Sequence, residues 1–288
     1  MTSRNPAGKP PYDDSCWIHK TIIISPNPLV RIHYISALIP SITEQGTIIL
    51  IHGFPQTAYQ YRYVITPLAK AGYRVICPDI RGAGASSHPP DGYEKYQLAT
   101  DLHKLLYEHE KVKGKVHVVG QDIGGMIAHA FATTFPADTA SVAIGECPLP
   151  GTAPYEASKN SAIMYHFAFH QVPDLPETLV TGKERIYLRH FYDRAGYNPG
   201  AITEEDLDVY ATSYAQPGGL RCGFELYRAF EEDVVYNKSM VKAIGKSKLP
   251  VLALYGEFSF CKDYCKAMLE EVYGGPVEVG QIKNAAHW

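Results

Sequence analysis

The sequence predicts an α/β fold, in which a mostly parallel, twisted sheet is flanked by helices and interrupted by a helical insertion. Short runs rich in β-branched residues alternate with segments of helical periodicity, as in parallel sheets with crossover helices. The alternation stops between about residues 147 and 237, and then it resumes. A strand pattern also runs directly into a small-residue turn at Gln121-Asp122-Ile123-Gly124-Gly125.

The first part of the chain is predicted to contribute two antiparallel strands and then three strand–helix units. β-branched and apolar residues dominate the predicted strands, which span residues 18–24, 30–38, 47–51, 74–80 and 116–120. Helical spacing of apolar residues predicts helices over residues 59–71, 93–109 and 124–135. Gly72 ends the first of these helices, because glycine readily adopts the conformation that follows a helix. A further strand is predicted over residues 141–146.

The insertion divides the predicted core into two parts. Residues 148–237 are rich in aromatic residues and carry repeated proline and glycine breaks, which predicts a helical cap of short helices. The core is then made of residues 1–147 and 238–288. Its second part is predicted to contain a strand over residues 250–257, a helix over 261–273 and a strand over 277–282.

Composition excludes several classes of function. The formal net charge is -3, so the chain lacks the basic surface that nucleic-acid binding requires. No run of apolar residues is long enough for a membrane span. The polar N-terminus lacks the apolar segment of a secretory signal, and the six cysteines are scattered. We therefore expect a cytoplasmic protein with free thiols and no zinc site.

Asp122 is the candidate nucleophile. A strand that turns sharply into a helix exposes one side chain at the edge of the sheet, in the geometry called a nucleophile elbow. A carboxylate is a poor acyl nucleophile, but it can displace a leaving group at an alkyl carbon and form an ester with the enzyme. Asp122 therefore favours epoxides or alkyl halides as substrates over esters. Aspartate also caps helices well, and the two roles are compatible.

At this point the chain resembles the α/β-hydrolase superfamily, in the branch of epoxide hydrolases and haloalkane or haloacid dehalogenases that use an aspartate nucleophile. The resemblance covers essentially the whole chain and rests on motifs at residues 52–55 (His-Gly-Phe-Pro), 78–86, 121–125 and 286–288 (Ala-His-Trp).

The resemblance implies roles for several residues around Asp122. His287 is expected to activate the water that cleaves the ester. The backbone N–H groups of Phe54 and Ile123 are expected to form the oxyanion hole.

The resemblance leaves two positions for the carboxylate that orients His287. After the last strand but one, the family can carry Gly-x-x-Asp, but this chain has Gly256-Glu257-Phe258-Ser259, and Ser259 cannot carry a negative charge. The other position, after the strand that follows the elbow helix, holds Glu146. We expect Glu146 to be the orienting acid and keep Glu257 as the alternative.

The cap distinguishes between leaving groups. An alkoxide leaves poorly without a hydrogen-bond donor, and epoxide hydrolases of this family use two cap tyrosines. Tyr165 and Tyr227 match these positions by local pattern, and a neutral tyrosine can donate. Four further residues are expected to line the substrate pocket: His52, Pro55, Met126 and His166.

These inferences predict a hydrolase that acts on an alkyl carbon electrophile through a covalent Asp122 ester, most simply an epoxide hydrolase that converts a hydrophobic epoxide to a diol. A dehalogenase on the same fold is the first alternative, although its halide would require N–H donors beside Asp122. A non-catalytic small-molecule binder is the second. The expected partners are a hydrophobic substrate and water, with no metal or organic cofactor, and a homodimer remains open.

Overall fold

A computed structural model describes residues 14–288, so residues 1–13 of the predicted core lie outside the described residues. Eight strands form one sheet in the order β1-β2-β4-β3-β5-β6-β7-β8. The strands are β1 (Trp17–Pro26), β2 (Leu29–Ala37), β3 (Gly46–Ile51), β4 (Tyr73–Pro78), β5 (Val116–Gln121), β6 (Thr139–Gly145), β7 (Val251–Gly256) and β8 (Val277–Ile282). Strand β2 pairs antiparallel with β1 and β4, and the other neighbours are parallel. The predicted mostly parallel sheet is confirmed.

The described residues contain eleven α-helices. They are α1 (Ile65–Lys70), α2 (Lys95–Lys104), α3 (Ile123–Thr134), α4 (Ala153–Ser158), α5 (Tyr165–Gln171), α6 (Leu175–Val180), α7 (Glu184–Ala195), α8 (Glu204–Tyr214), α9 (Gly219–Arg228), α10 (Phe230–Ile244) and α11 (Cys265–Val272). Helices α4–α10 follow one another between β6 and β7, as a helical insertion. Helix α10 passes through the predicted cap boundary at residue 237. None of the helices within residues 14–288 has the length and apolarity needed to cross a membrane.

The predicted helix over residues 59–71 is interrupted in the structure. A short 3-10 turn spans Ala58–Tyr61, and α1 begins only at Ile65. Pro67 explains this start, because proline lacks an N–H and is tolerated in the first turn of a helix but not in its interior. The long predicted helix over residues 93–109 also changes character, since α2 ends at Lys104 and the chain continues as a π-helical turn over Leu105–His109.

Two glycines allow the sharp turn between β5 and α3. A Cβ atom at Gly120 would lie 2.0 Å from the carbonyl oxygen of Gly124, and a Cβ at Gly124 would lie 2.0 Å from that of Ile51. Any side chain at either position would therefore force the elbow away from the centre of the sheet. Since β3, β5, β6 and β7 are parallel, their carboxyl ends meet at this same edge.

Candidate active site

Asp122 occupies the turn between β5 and α3 in a backbone conformation that is unusual for a side-chain-bearing residue. Its φ is 56°, and such conformations persist where surrounding bonds determine them. The Asp122 N–H donates to the Gly145 carbonyl at 2.9 Å, and its own carbonyl accepts from the Gly125 N–H at 2.8 Å. These two bonds hold the Asp122 side chain at the edge of the sheet where the parallel strands end.

The two carboxylate oxygens of Asp122 have different surroundings. The Phe54 N–H donates to Oδ1 at 2.9 Å, and the adjacent Ile123 N–H acts to lower the pKa of the carboxyl. Oδ2 lies 3.6 Å from Nε2 of His287. Burial raises the pKa of Asp122, and nearby His287 together with the two N–H donors opposes this effect. The Phe54 N–H, one of the two predicted oxyanion-hole donors, therefore holds Oδ1, while Oδ2 faces the histidine.

His287 is held on both sides of its ring and along its backbone. Its Nδ1 lies 3.2 Å from Oε2 of Glu146. Its N–H donates to the Ala195 carbonyl at 3.1 Å, and its own carbonyl accepts from Nε2 of Gln121 at 2.8 Å. The Phe260 ring stacks on the imidazole with 5.7 Å between centroids. With Nδ1 donating to a carboxylate, Nε2 is the basic nitrogen that faces Asp122.

Each carboxylate oxygen of Glu146 accepts a hydrogen bond from a buried donor. The Gly256 N–H donates to Oε1 at 2.7 Å, and the Ser259 hydroxyl donates to Oε2 at 2.5 Å. Oγ of Ser259 also accepts from the Cys261 N–H at 2.9 Å, which holds the hydroxyl beside the carboxylate. Glu146 also has a positive φ, 58°. The sequence indicates only that Ser259 cannot be the orienting acid. The structure shows that Ser259 is a buried hydrogen-bond donor to Glu146.

Glu257, the alternative acid, does not lie beside His287. Its Oε2 accepts from the Asn284 N–H at 3.1 Å, in an exposed position. Of the two predicted carboxylates, the structure brings only Glu146 together with His287 and Asp122.

A cavity of about 260 Å³ opens above these three residues. Its inner wall is largely aromatic and includes Phe54, Phe167, Phe191 and Phe260. Its outer end is formed by exposed residues of the insertion and of the loop after β7, among them Ile163, Arg194, Tyr197 and Phe258. Within residues 14–288, no cluster of three or more His, Cys, Asp or Glu side chains is arranged to hold a metal ion.

Tyr227 and His166 lie on the cavity wall, but Tyr165 does not. The Tyr165 side chain is exposed, and its ring lies beneath the Arg194 guanidinium at 5.2 Å. Because successive residues of an α-helix are rotated by about 100°, the orientation of α5 turns His166 inward and Tyr165 outward. This corrects the prediction of Tyr165 as a donor to the substrate.

The side chains of His166 and Tyr227 are both neutral in this environment. Burial and the nearby Arg194 charge lower the pKa of His166 to about 3, and its Nδ1 has no hydrogen-bond partner among the described residues. Burial raises the pKa of Tyr227 well above its usual value. A neutral imidazole and a phenol can each donate one hydrogen bond to a substrate oxygen. His166 follows Tyr165 directly in the sequence. This position beside the expected tyrosine is the sequence signal that indicates His166 as a possible donor.

Three other predicted pocket residues support the site from outside the cavity wall, which corrects their assignment as lining residues. His52 is fully buried, with Nε2 accepting from the Ile80 N–H at 3.1 Å and Nδ1 bonded to the Gly53 carbonyl. The carbonyl of Pro55 accepts from the Tyr192 hydroxyl at 3.2 Å. Met126 is buried in the hydrophobic core.

Comparison with known proteins gives consistent matches. A family model described as the alpha/beta hydrolase fold matches residues 46–153. The soluble epoxide hydrolase of Corynebacterium sp. strain C12 is 32% identical over 265 residues, which cover 90% of this chain and 87% of that protein. The crystal structure of Cfl2 from Burkholderia cenocepacia is 32% identical, with a TM-score of 0.85 over 96% of this chain and 92% of that one.

The structure of the epoxide hydrolase CorEH without ligand is 29% identical, with a TM-score of 0.80 over 94% of this chain and 92% of that one. The likeness therefore extends over core and insertion alike, and it confirms the predicted fold.

Proposed function

Because this chain belongs to the epoxide hydrolase branch of the α/β-hydrolase superfamily and is a hydrolase of that group, we propose that it opens hydrophobic epoxides through a covalent ester at Asp122. The observation that carries the proposal is the unequal environment of the Asp122 carboxylate. One oxygen is held by a backbone donor, and the other is free to attack within reach of His287. The aromatic inner wall of the cavity fits an apolar substrate.

In the first step, Oδ2 of Asp122 attacks one epoxide carbon as the ring C–O bond breaks. The released oxygen takes the proton of the Tyr227 hydroxyl, while the neutral His166 donates a second hydrogen bond to it. General-acid assistance of this kind contributes about 10²–10⁴-fold. It is needed because an alkoxide is a poor leaving group.

In the second step, Nε2 of His287 takes a proton from water, and the hydroxide attacks the carbonyl carbon of the ester. Negative charge then develops on Oδ1, which the N–H groups of Phe54 and Ile123 stabilise. The tetrahedral intermediate collapses to free Asp122 carboxylate and a diol. The proton on His287 returns to Tyr227, so that one epoxide and one water give one diol. Glu146, held by Ser259, keeps Nδ1 of His287 protonated and stabilises the imidazolium.

The dehalogenase alternative requires N–H donors that bind halide beside the nucleophile. The indole N–H of Trp288 is instead donated to the Phe191 carbonyl at 3.1 Å, and that of Trp17 to Thr66 at 2.9 Å. These bonds favour an epoxide over a halide. The complete set of nucleophile, base and acid likewise argues against a purely non-catalytic binder.

A trapped intermediate tests the proposal directly. His287→Gln keeps the nucleophile but removes the base, so exposure to a panel of aryl and alkyl epoxides should leave an adduct of epoxide mass on the Asp122 peptide. The matched control is Asp122→Asn in the same His287→Gln background, which should remain unmodified. The proposal fails if no adduct forms and the wild-type protein also produces no diol. The same trap with alkyl halides would then test the dehalogenase alternative.

A further inference from the structure

The outer end of the cavity carries a cation that the proposed chemistry does not use. Among the residues that line the cavity, all of them within the described chain, Arg194 is the one lysine or arginine. It stands beside three exposed apolar residues at the rim, Ile163 (50% exposed), Tyr197 (44%) and Phe258 (50%). Asp122, His287 and Glu146 line the same cavity, and the side chains of His287 and Glu146 are buried.

The Arg194 guanidinium is fixed in place but not neutralised. Its Nη2 donates to the Ile163 carbonyl at 2.5 Å, and the Tyr165 ring packs against it at 5.2 Å. No carboxylate of the described residues forms an ion pair with Arg194, whereas Arg185 and Arg189 on the same helix both pair with Glu204. Its charge also acts on the cavity, since it helps to lower the pKa of His166.

The buried end of the cavity disfavours an anion. Asp122 and Glu146 both lie there. A charged substrate would therefore orient its anionic group away from the reacting carbon and towards the rim.

We propose that Arg194 forms an outer subsite for a carboxylate at the far end of the substrate, so that the preferred epoxides are aliphatic chains ending in a carboxylate. This inference rests on the proposed function and specifies its substrate class. A guanidinium presents several N–H donors in a planar fork that matches a carboxylate. The apolar wall between Asp122 and Arg194 would accommodate the intervening chain, and short acids would fail to span it.

Paired substrates test the subsite by turnover. We would measure kcat/KM for a series of ω-epoxy alkanoic acids of increasing chain length and for their methyl esters. For chains long enough to reach the rim, the wild-type protein should prefer the acid by about three- to fivefold, which is the scale of an exposed ion pair. Arg194→Gln should bring this ratio close to one, and Arg194→Lys should retain part of it. Arg185→Gln, on the same helix but outside the cavity, should keep the wild-type ratio.

A binding measurement separates the subsite from the chemistry. Trp288 lines the cavity, so its fluorescence in a Trp17→Phe background can report binding of a saturated long-chain acid and of its methyl ester. Tighter binding of the acid that is lost in Arg194→Gln supports the subsite even if no epoxide is turned over, in which case the proposed function alone fails. Epoxide turnover with equal acid-to-ester ratios in wild type and Arg194→Gln overturns the subsite and leaves the proposed function standing.

Discussion

At the residue scale, replacing each of two tyrosines would show which hydroxyl reaches the substrate oxygen. Tyr227 lines the cavity, and burial keeps its phenol protonated, whereas Tyr165 does not line the cavity. We expect Tyr227→Phe to lower kcat/KM for epoxides by about 10²-fold or more, because it removes the general acid. Tyr165→Phe removes the same atom outside the cavity and should have a much smaller effect. Steady-state kinetics of both variants on the same epoxide measure this difference. Equal losses of kcat/KM would show that Tyr165 also donates to the substrate oxygen.

Ser259 and Glu146 provide a second test at this scale. Glu146→Gln should lower kcat by up to about 10⁴-fold, as when a catalytic histidine loses its orienting carboxylate. Ser259→Asp in the same protein places a carboxylate within one hydrogen bond of that position, since Oγ of Ser259 lies 2.5 Å from Oε2 of Glu146. The double variant should therefore regain part of the lost rate.

The single variants complete this test. Ser259→Ala removes one hydrogen bond to a charged group and should lower kcat more than it changes KM. Ser259→Asp alone sets two carboxylates side by side and should gain nothing. A double variant no faster than Glu146→Gln would show that a carboxylate at residue 259 does not orient His287.

The raised pKa of Asp122 predicts a stability effect with a defined pH dependence. Because burial raises the pKa of this carboxyl above its usual 3.8, the folded protein binds the proton more tightly than the unfolded chain does. Ionisation of Asp122 therefore costs stability as the pH rises through this range, and the cost remains at neutral pH. Asp122→Asn should raise Tm at pH 7 by about 2–4 °C, the shift that about 1 kcal/mol gives in a domain of this size.

Thermal unfolding over a pH series checks this effect, and the gain should disappear as the pH falls below 3.8. Asp79 is the matched control, because His33 and backbone donors lower the pKa of its buried carboxyl. Asp79→Asn should therefore destabilise the protein at neutral pH. A lower Tm for Asp122→Asn at pH 7 would contradict the inferred cost of ionised Asp122.

At the scale of the elements, local patterns predict the strands well but not the orientation of the helices. Strand β3 spans Gly46–Ile51 where residues 47–51 were expected, because a run of buried β-branched residues is a local signal. Whether Tyr165 or His166 faces the cavity depends instead on how α5 packs against α9, a contact between distant parts of the chain. The hydrogen bond from Ser259 to Glu146 is likewise not predictable from local sequence, because the two residues are 113 positions apart.

Helices α2 and α10 are joined by a buried ion pair between the core and the insertion. Nζ of Lys95 lies 2.7 Å from Oδ2 of Asp233, and the Lys95 N–H at the start of α2 donates to Oδ1 at 2.7 Å. Burial lowers the pKa of Lys95 and raises that of Asp233. In both groups desolvation thus outweighs the attraction of the partner.

We therefore expect Lys95→Met to destabilise the protein by about 3–5 kcal/mol, because it leaves the Asp233 charge buried and unpaired. Adding Asp233→Leu should recover most of this loss, since a buried ion pair is often no more stabilising than apolar residues of similar volume. Urea unfolding measures both variants. Lys238→Met breaks an exposed pair with Glu156 and should change little. A double variant as unstable as Lys95→Met would show that the pair itself is strongly stabilising.

At the scale of the whole molecule, His287, the proposed catalytic base, belongs to the core but is positioned against the insertion. The His287 N–H donates to Ala195, and the Trp288 indole donates to Phe191. Both acceptors belong to α7, the helix that also carries Arg194 to the rim of the cavity. A displacement of α7 would therefore move the base and the outer end of the cavity together.

The two tryptophans allow this coupling to be measured against a matched control. Trp288→Phe and Trp17→Phe each keep an aromatic ring and remove one indole donor, from Phe191 and from Thr66 respectively. Each should lower the free energy of unfolding by about 0.5–1.5 kcal/mol, the usual net contribution of one hydrogen bond. Only Trp288→Phe should also lower kcat, because it loosens α7 against the segment that holds His287. If both variants lose stability equally and neither loses activity, the position of the base does not depend on the insertion.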